Sequence, residues 1–382
     1  MKGIFKFCAT SMLALIASGQ FASAEVKIGV VISATGPASF LGDPQKQTLD
    51  LYIKQINDKG GINGEPVKLI MYDDGSDANA SRTFATRLVE EDKVDAVIGG
   101  SGTGNSLAMI PVFEEAQIPY VSFSGGVEII DPVRKWVFKP PHTDLMACQK
   151  IYEDMKKKGI SKIAIIAGQG GFAKSMERQC KRVAADYGIS ILASESYGPR
   201  DSDVTPQLNR IKALPDVQAV LNPDAGQGPA IVTRNFRQLG MTSQLYLSHA
   251  AATSGFLKAV GNDATGLLLP APTLLIAESL PDSDPLKKVL IDYKTLFEKS
   301  AGKEADAFGG YAHDCLMLMV DAMKRAGSKD RKAVRDALEA TKGFLGTVGS
   351  INMTPTDHLG IDLSSFRMIT VKDGKWTAAS QG

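Results

Sequence analysis

Short unbroken apolar runs alternate along most of this chain with stretches in which apolar residues recur every three or four positions. Strands buried on both faces produce the first pattern and helices with one buried stripe produce the second. The first strand is predicted over 26–32. Asp43 is expected to cap the following helix, with Pro44 in its first turn and Leu49, Ile53 and Ile56 inward. Strands at 67–72, 94–98 and 119–123 follow, separated by a helix capped by Asp77 and another near 105–116. A second series starts after Pro140-Pro141, with a helix opened by Asp144, a strand at 162–167, a helix over about 172–187, and strands near 189–196, 217–222 and 244–247. Alternation of this kind predicts an α/β fold, two doubly wound parallel-sheet lobes joined by three crossover strands.

Pro270 and Pro272 read as the point where the chain leaves the second lobe. The helical stretches 284–300, 308–326 and 330–341 have no strands of their own and are expected to pack back on the first sheet. Residues 343–355 would form the third crossing, and 366–377 a closing hairpin turned by Asp373-Gly374. These positions divide the chain into a leader, 1–24, a first lobe, 25–140 plus 271–347, and a second lobe, 141–270 plus 348–382. Lys2 and Lys6, the apolar run 7–17 and Ala22-Ser23-Ala24 give the leader the order of an export signal cut near Ala24, which predicts a periplasmic protein. Cys8 lacks the small residues before it that would mark a lipid anchor.

Composition removes several function classes. The 43 Lys and Arg against 42 Asp and Glu give a formal net charge of +1, and loss of Lys2 and Lys6 with the leader brings it to about −1. Such a balance offers no electrostatic footprint for nucleic acid or an anionic membrane. Lys156-Lys157-Lys158 sits where a helix ends before Gly159, a position that suits cations. Cys148, Cys180 and Cys315 remain after the leader, so at least one is unpaired in a monomer, and the sequence leaves open whether Cys148 and Cys180 meet. None has metal-ligand spacing, and His142, His249, His313 and His358 are scattered, so no metal or other cofactor is expected. Gly168-Gln169-Gly170-Gly171 stops short of G-x-G-x-x-G because position 173 is Ala. No P-loop or nucleophile-elbow motif occurs, which disfavours an enzyme.

The candidate chemistry lies in two loops of small residues at adjacent strand ends, 99–106 and 122–126. Ser101, Gly102 and Thr103 in the first, with Ser124, Gly125 and Gly126 in the second, offer hydroxyls, close backbone approach and the N–H groups of a helix start to an anion, and a carboxylate fits such a site. Phe40, Phe172, Phe308 and Tyr311 are candidate apolar or stacking walls.

The segments IGVVISATGPASFLGD (28–43), INDKGGINGEPVKLIMYDD (56–74), VDAVIGGSGTG (94–104) and FGGYAHDCLML (308–318) resemble those of periplasmic binding proteins of the branched-chain amino acid type, the type I receptors of ABC importers. The resemblance covers nearly the whole chain after the leader. It implies two lobes closing on one small ligand, a membrane permease as partner, a monomer and no catalysis. In the amino-acid-binding members an aromatic residue stands near Leu41, another at Ala225, and an acidic residue holding the ligand ammonium at His249. These departures imply a larger pocket without an ammonium anchor. GPASFLGDPQKQTL and SHAAATSGF are similar to the subgroup that takes aromatic carboxylates of the benzoate or hydroxycinnamate type, which makes His249 a partner for a ring hydroxyl. An amino acid or amide is the alternative ligand, and a sensory lobe pair working with a separate partner is a second rival.

Overall fold

The computed structural model describes residues 25–379; the predicted leader and its cut near Ala24 lie outside them. In chain order the elements of the first half are β1 Val26–Ile32, α1 Ser39–Asp58, β2 Val67–Asp73, α2 Ala78–Glu90, β3 Ala96–Gly99, α3 Thr103–Glu115, β4 Tyr120–Ser122, β5 Val137–Phe138, α4 Asp144–Lys157, β6 Lys162–Gly168, α5 Gly171–Val183 and β7 Ser190–Tyr197. They continue with α6 Thr205–Lys212, β8 Ala219–Asn222, α7 Gly228–Gln238, β9 Gln244–Leu247, α8 Ser254–Val260, β10 Leu268–Pro272, α9 Lys287–Ala301, α10 Ala307–Ala326, α11 Arg331–Glu339, β11 Phe344–Gly346, β12 Gly349–Ile351, β13 Phe366–Lys372 and β14 Lys375–Ala378.

The strands form a five-stranded parallel sheet ordered β2-β1-β3-β4-β5 and a seven-stranded sheet ordered β14-β13-β10-β9-β8-β6-β7, with a separate β11-β12 hairpin. In the first sheet Ile28, Val30 and Ile32 face a core shared with Leu49 of α1 and Leu316 and Met319 of α10. Val31 and Val97 face the opposite core, with Leu88 of α2 and Phe113 of α3. Helices therefore cover both faces, as the unbroken apolar strands require. Each fully buried aliphatic side chain contributes about 1.5–3 kcal/mol to holding a lobe together.

One local expectation changes and two gain detail. First, α1 begins at Ser39, ahead of the predicted Asp43 cap, and no side chain caps it. Tertiary contact extends it: Phe40 is drawn against Phe308 with ring centroids 5.9 Å apart. Asp43 lies inside the helix, where it pairs with Lys303 at 2.5 Å. Second, Pro270 and Pro272 do not interrupt the second sheet but sit in β10, paired antiparallel with β13. The parallel partner β9 meets β10 only at Leu268, so the prolines lie where that side requires no N–H donor. Third, 343–355 contains the β11-β12 hairpin. Buried Asp314 on α10 ties it down, accepting from the N–H groups of Thr347 and Val348 at 2.8 Å each.

The cysteine ambiguity is resolved: Cys148 on α4 is disulfide-bonded to Cys180 on α5, and Cys315 is a buried free thiol. No described helix is long and apolar enough to cross a membrane.

Candidate functional site

On the side of the first sheet the site grows from the carboxyl ends of β3 and β4. The chain leaves β3 through Gly100, at φ +75°, where a Cβ would stand 2.2 Å from Ser106 Oγ and 2.4 Å from the Tyr120 hydroxyl. No other residue fits this turn without displacing both. It delivers Gly102 as the N-cap of α3, which has no side-chain cap. The first-turn N–H groups of α3 thus have no intrahelical acceptor and carry the positive end of the helix dipole. Beside them Thr103 Oγ1 lies 3.1 Å from Ser124 Oγ. Ser122 supports this pair from behind, accepting from the Ser124 N–H at 3.2 Å while its hydroxyl lies 2.9 Å from that of Ser106. Ser101 is placed differently from its expected role. Its hydroxyl donates to Gln45 Oε1 at 2.5 Å and accepts from the Ser33 N–H at 2.9 Å, so it holds the loop together.

The opposite wall comes from the second sheet, while α10, which packs on the first sheet, adds residues to the first wall. Phe172 opens α5, Ala225 follows β8, and His249 begins a short 3-10 turn, His249–Ala251, after β9. Phe308 and Tyr311 stand one turn apart at the start of α10, whose cap Asp306 accepts from the N–H groups of Phe308 and Gly309 at 2.9 Å each. The two walls touch. A Cβ on Gly125 would lie 3.1 Å from the Phe172 ring and 3.3 Å from His249 Nε2. The ring centroids of Phe172 and His249 are 5.4 Å apart, edge to face. Between the walls is a cavity of about 40 Å3 lined by Leu41, Ser101, Gly102, Thr103, Ser124, Gly125, Phe172, Ala225, His249, Phe308 and Tyr311, together with Phe123 and Ala250.

Two candidate residues stand outside this lining. Phe40 faces the adjoining cleft, and Gly126 packs against Thr103, whose Cγ2 would lie 2.4 Å from a Cβ there. Phe123 and Ala250 were missed, although each adjoins a predicted residue in the sequence; a small-residue or aromatic pattern does not tell which neighbours turn inward.

No carboxylate lines the cavity. Two buried polar atoms on its wall residues, His249 Nδ1 and the Tyr311 hydroxyl, make no hydrogen bond to any described residue. Burial, with the nearby Lys139 charge, pushes the His249 pKa down to about 3, so the imidazole is neutral. Burial also raises the Tyr311 hydroxyl, which stays protonated. Behind the site, fully buried Lys139 donates to the carbonyls of Pro141 at 2.5 Å and His142 at 3.3 Å, and burial lowers its pKa to about 7.

Asp144, expected only as a helix opener, links both walls. Its N–H donates to the Gly125 carbonyl at 2.8 Å, its Oδ1 accepts from the Val127 N–H at 2.8 Å, and its Oδ2 accepts from Ser175 of α5 at 2.5 Å. No sequence signal short of the fold brings Ser175 to it. Among the described residues no group of three His, Cys, Asp or Glu is arranged to hold a metal.

A family model described as periplasmic binding protein matches residues 25–375. The chain is 24% identical over 363 residues to the leucine-, isoleucine-, valine-, threonine- and alanine-binding protein of Pseudomonas aeruginosa, covering 93% of this chain and 90% of that protein. It is 25% identical over 358 residues to Leu/Ile/Val-binding protein homolog 1 of Brucella suis, covering 91% of each. Among solved structures, an extracellular ligand-binding receptor from Rhodopseudomonas palustris superposes with a TM-score of 0.86 at 29% identity, over 93% of this chain and 100% of that one. A branched-chain amino acid transporter substrate-binding protein from Streptococcus pneumoniae, in complex with isoleucine, gives 0.81 at 20% identity over 93% and 98%, a likeness of fold.

Proposed function

The chain belongs to the periplasmic binding protein family, and from that premise we propose that it is the extracytoplasmic receptor of an ABC importer, capturing a small aromatic carboxylate between two closing lobes. The lobes are taken as 25–140 plus 271–347 and 141–270 plus 348–382, with the leader removed on export. The receptor acts as a monomer, hands its ligand to a membrane permease and performs no chemistry on it. Its carboxylate lies against Thr103, Ser124 and the start of α3, and its ring lies between Phe172, Phe308 and Tyr311.

One observation carries the choice of ligand: the enclosed cavity has hydroxyls and a helix start on one side and no carboxylate anywhere in its lining. A buried ammonium needs an anionic partner, because an unpaired charge taken out of water is strongly unfavourable. A neutral His249 suits a ring hydroxyl instead, as donor or acceptor.

The second reading, an amino acid or its amide, is favoured by the names of the Pseudomonas and Brucella relatives. It would need an anion for the ammonium. Asp224, which lines the adjoining cleft, is already engaged by the Tyr197 hydroxyl at 2.5 Å and the Ala225 N–H at 2.7 Å.

Calorimetry with benzoate, 4-hydroxycinnamate and leucine separates the two. The aromatic acids are expected to bind and leucine to give no heat. Thr103→Val should weaken the acids by roughly 10-fold to 150-fold, the worth of one charge-assisted hydrogen bond, about 1.5–3 kcal/mol. Tight leucine binding by the unsubstituted protein would establish the second reading in its place.

A further inference from the structure

The enclosed cavity of about 40 Å3 is far smaller than the roughly 300–1,000 Å3 of sites that hold small organic ligands. The space between the lobes does not end there. A second cavity of about 590 Å3 adjoins it, lined by Pro37 and Phe40 and by the loops after β6, β7 and β8. Ala225 lines both cavities. A methyl group is all the side chain that this residue puts between them, so a bulkier residue at 225 would wall them apart.

This junction is built rather than loose. The Ala225 N–H donates to Asp224 Oδ1 at 2.7 Å, Asp224 Oδ2 accepts from the Tyr197 hydroxyl at 2.5 Å, and that hydroxyl accepts from Asn222 Nδ2 at 3.1 Å. The partners leave Asp224 satisfied and hold the backbone at 225 in place. Around the outer cavity, in contrast, Gln169, Gln227 and Ser202 are solvent-exposed lining residues whose amide and hydroxyl groups are open to a ligand. Two amides and a hydroxyl with open bonding capacity suit an uncharged polar group. The charged residues of the lining are of both signs, Arg200 with Asp201 and Asp224, and Asp224 is already engaged by Tyr197 and the Ala225 N–H.

We infer that the site has two compartments joined at Ala225, and that the outer one takes an uncharged hydrogen-bonding extension of the ligand, an amide or hydroxyl, beyond the ring. This rests on the carboxylate reading above. Benzoate and 4-acetamidobenzoate, which differ by such an extension, provide the test, titrated by calorimetry into the unsubstituted protein, Ala225→Phe and Gln227→Ala. The extended acid should bind about 10-fold tighter than benzoate, the scale of one net hydrogen bond. Ala225→Phe should bring that ratio to about one, and Gln227→Ala, which removes no buried volume from the lobe core, should reduce it several-fold. A ratio near one in the unsubstituted protein, or a ratio unchanged by both variants, overturns the outer compartment and leaves the carboxylate reading standing. Failure of both acids to bind overturns the two together.

Discussion

Burial decides the charge on His249. The ring sits between Phe172 and Phe366, with centroids 5.4 Å from each, where burial leaves an imidazolium poorly solvated. Its pKa of about 3 in the fold compares with about 6.5 in an unfolded chain. As pH falls below 6.5 the unfolded state takes up a proton that the folded state refuses, so stability is lost progressively from pH 6.5 down to about 3. His142, stacked on Phe366 at 3.9 Å and likewise held low by burial, acts in the same direction. His249→Gln should remove one such share. Its stability relative to the unsubstituted protein should rise by up to about 2 kcal/mol between pH 7 and pH 5 in urea titrations. Parallel pH profiles would show that His249 takes up its proton in the fold as readily as in water.

At the scale of elements, α4 and α5 form the frame that aims the site. Asp144 at the start of α4 bonds to the loop carrying Gly125 and to Ser175, one turn after Phe172. Further along the same pair, the Cys148–Cys180 disulfide closes a span of 32 residues, and the Tyr152 hydroxyl donates to the Cys180 carbonyl at 3.2 Å. Closing a loop of that length lowers the entropy of the unfolded chain by an amount worth about 3–4 kcal/mol. Cys148→Ser with Cys180→Ser should therefore lower the unfolding free energy by up to that amount, read from the urea midpoint. A loss under about 1 kcal/mol would mean that helix packing alone fixes α5.

For the whole molecule, the two lobes meet across the cleft in a closed arrangement. A Cβ on Gly171 of α5 would lie 3.3 Å from the Gly104 N of α3, and Arg178 reaches Glu128 across the rim at 2.6 Å. Both side chains of that ion pair are substantially exposed, so it contributes roughly 0–1 kcal/mol and cannot hold the lobes shut alone. The hydrogen bonds of Asp144 and the packing of Gly125 against Phe172 add to it, and three crossovers allow rotation without unpacking either core. The radius of gyration from X-ray scattering should then fall when the acid that binds in calorimetry is added to saturation. An unchanged radius would exclude closure as the response to ligand.

Several features were legible in the sequence because their causes are local. β1 and β9 occupy the predicted 26–32 and 244–247, since an unbroken apolar run between turn residues has few other uses. Asp77 caps α2 by accepting from the Ala80 N–H at 2.8 Å, and Asp373-Gly374 turns the final hairpin. Most of the small-residue and aromatic positions that line the cavity also stood out in the sequence, because Gly, Ser and aromatic residues clustered at strand and helix ends are few. What tertiary structure alone decided depends on residues distant in the chain. The start of α1 answers to Phe308, the prolines of β10 are tolerated because β9 ends its pairing at Leu268, and the hydroxyl of Ser101 is taken by Ser33 and Gln45. The pairing of Cys148 with Cys180 required the facing of two helices, which periodicity leaves free. The small enclosed pocket and its opening past Ala225 exist only where two lobes meet, a geometry set by packing between segments that no local pattern connects.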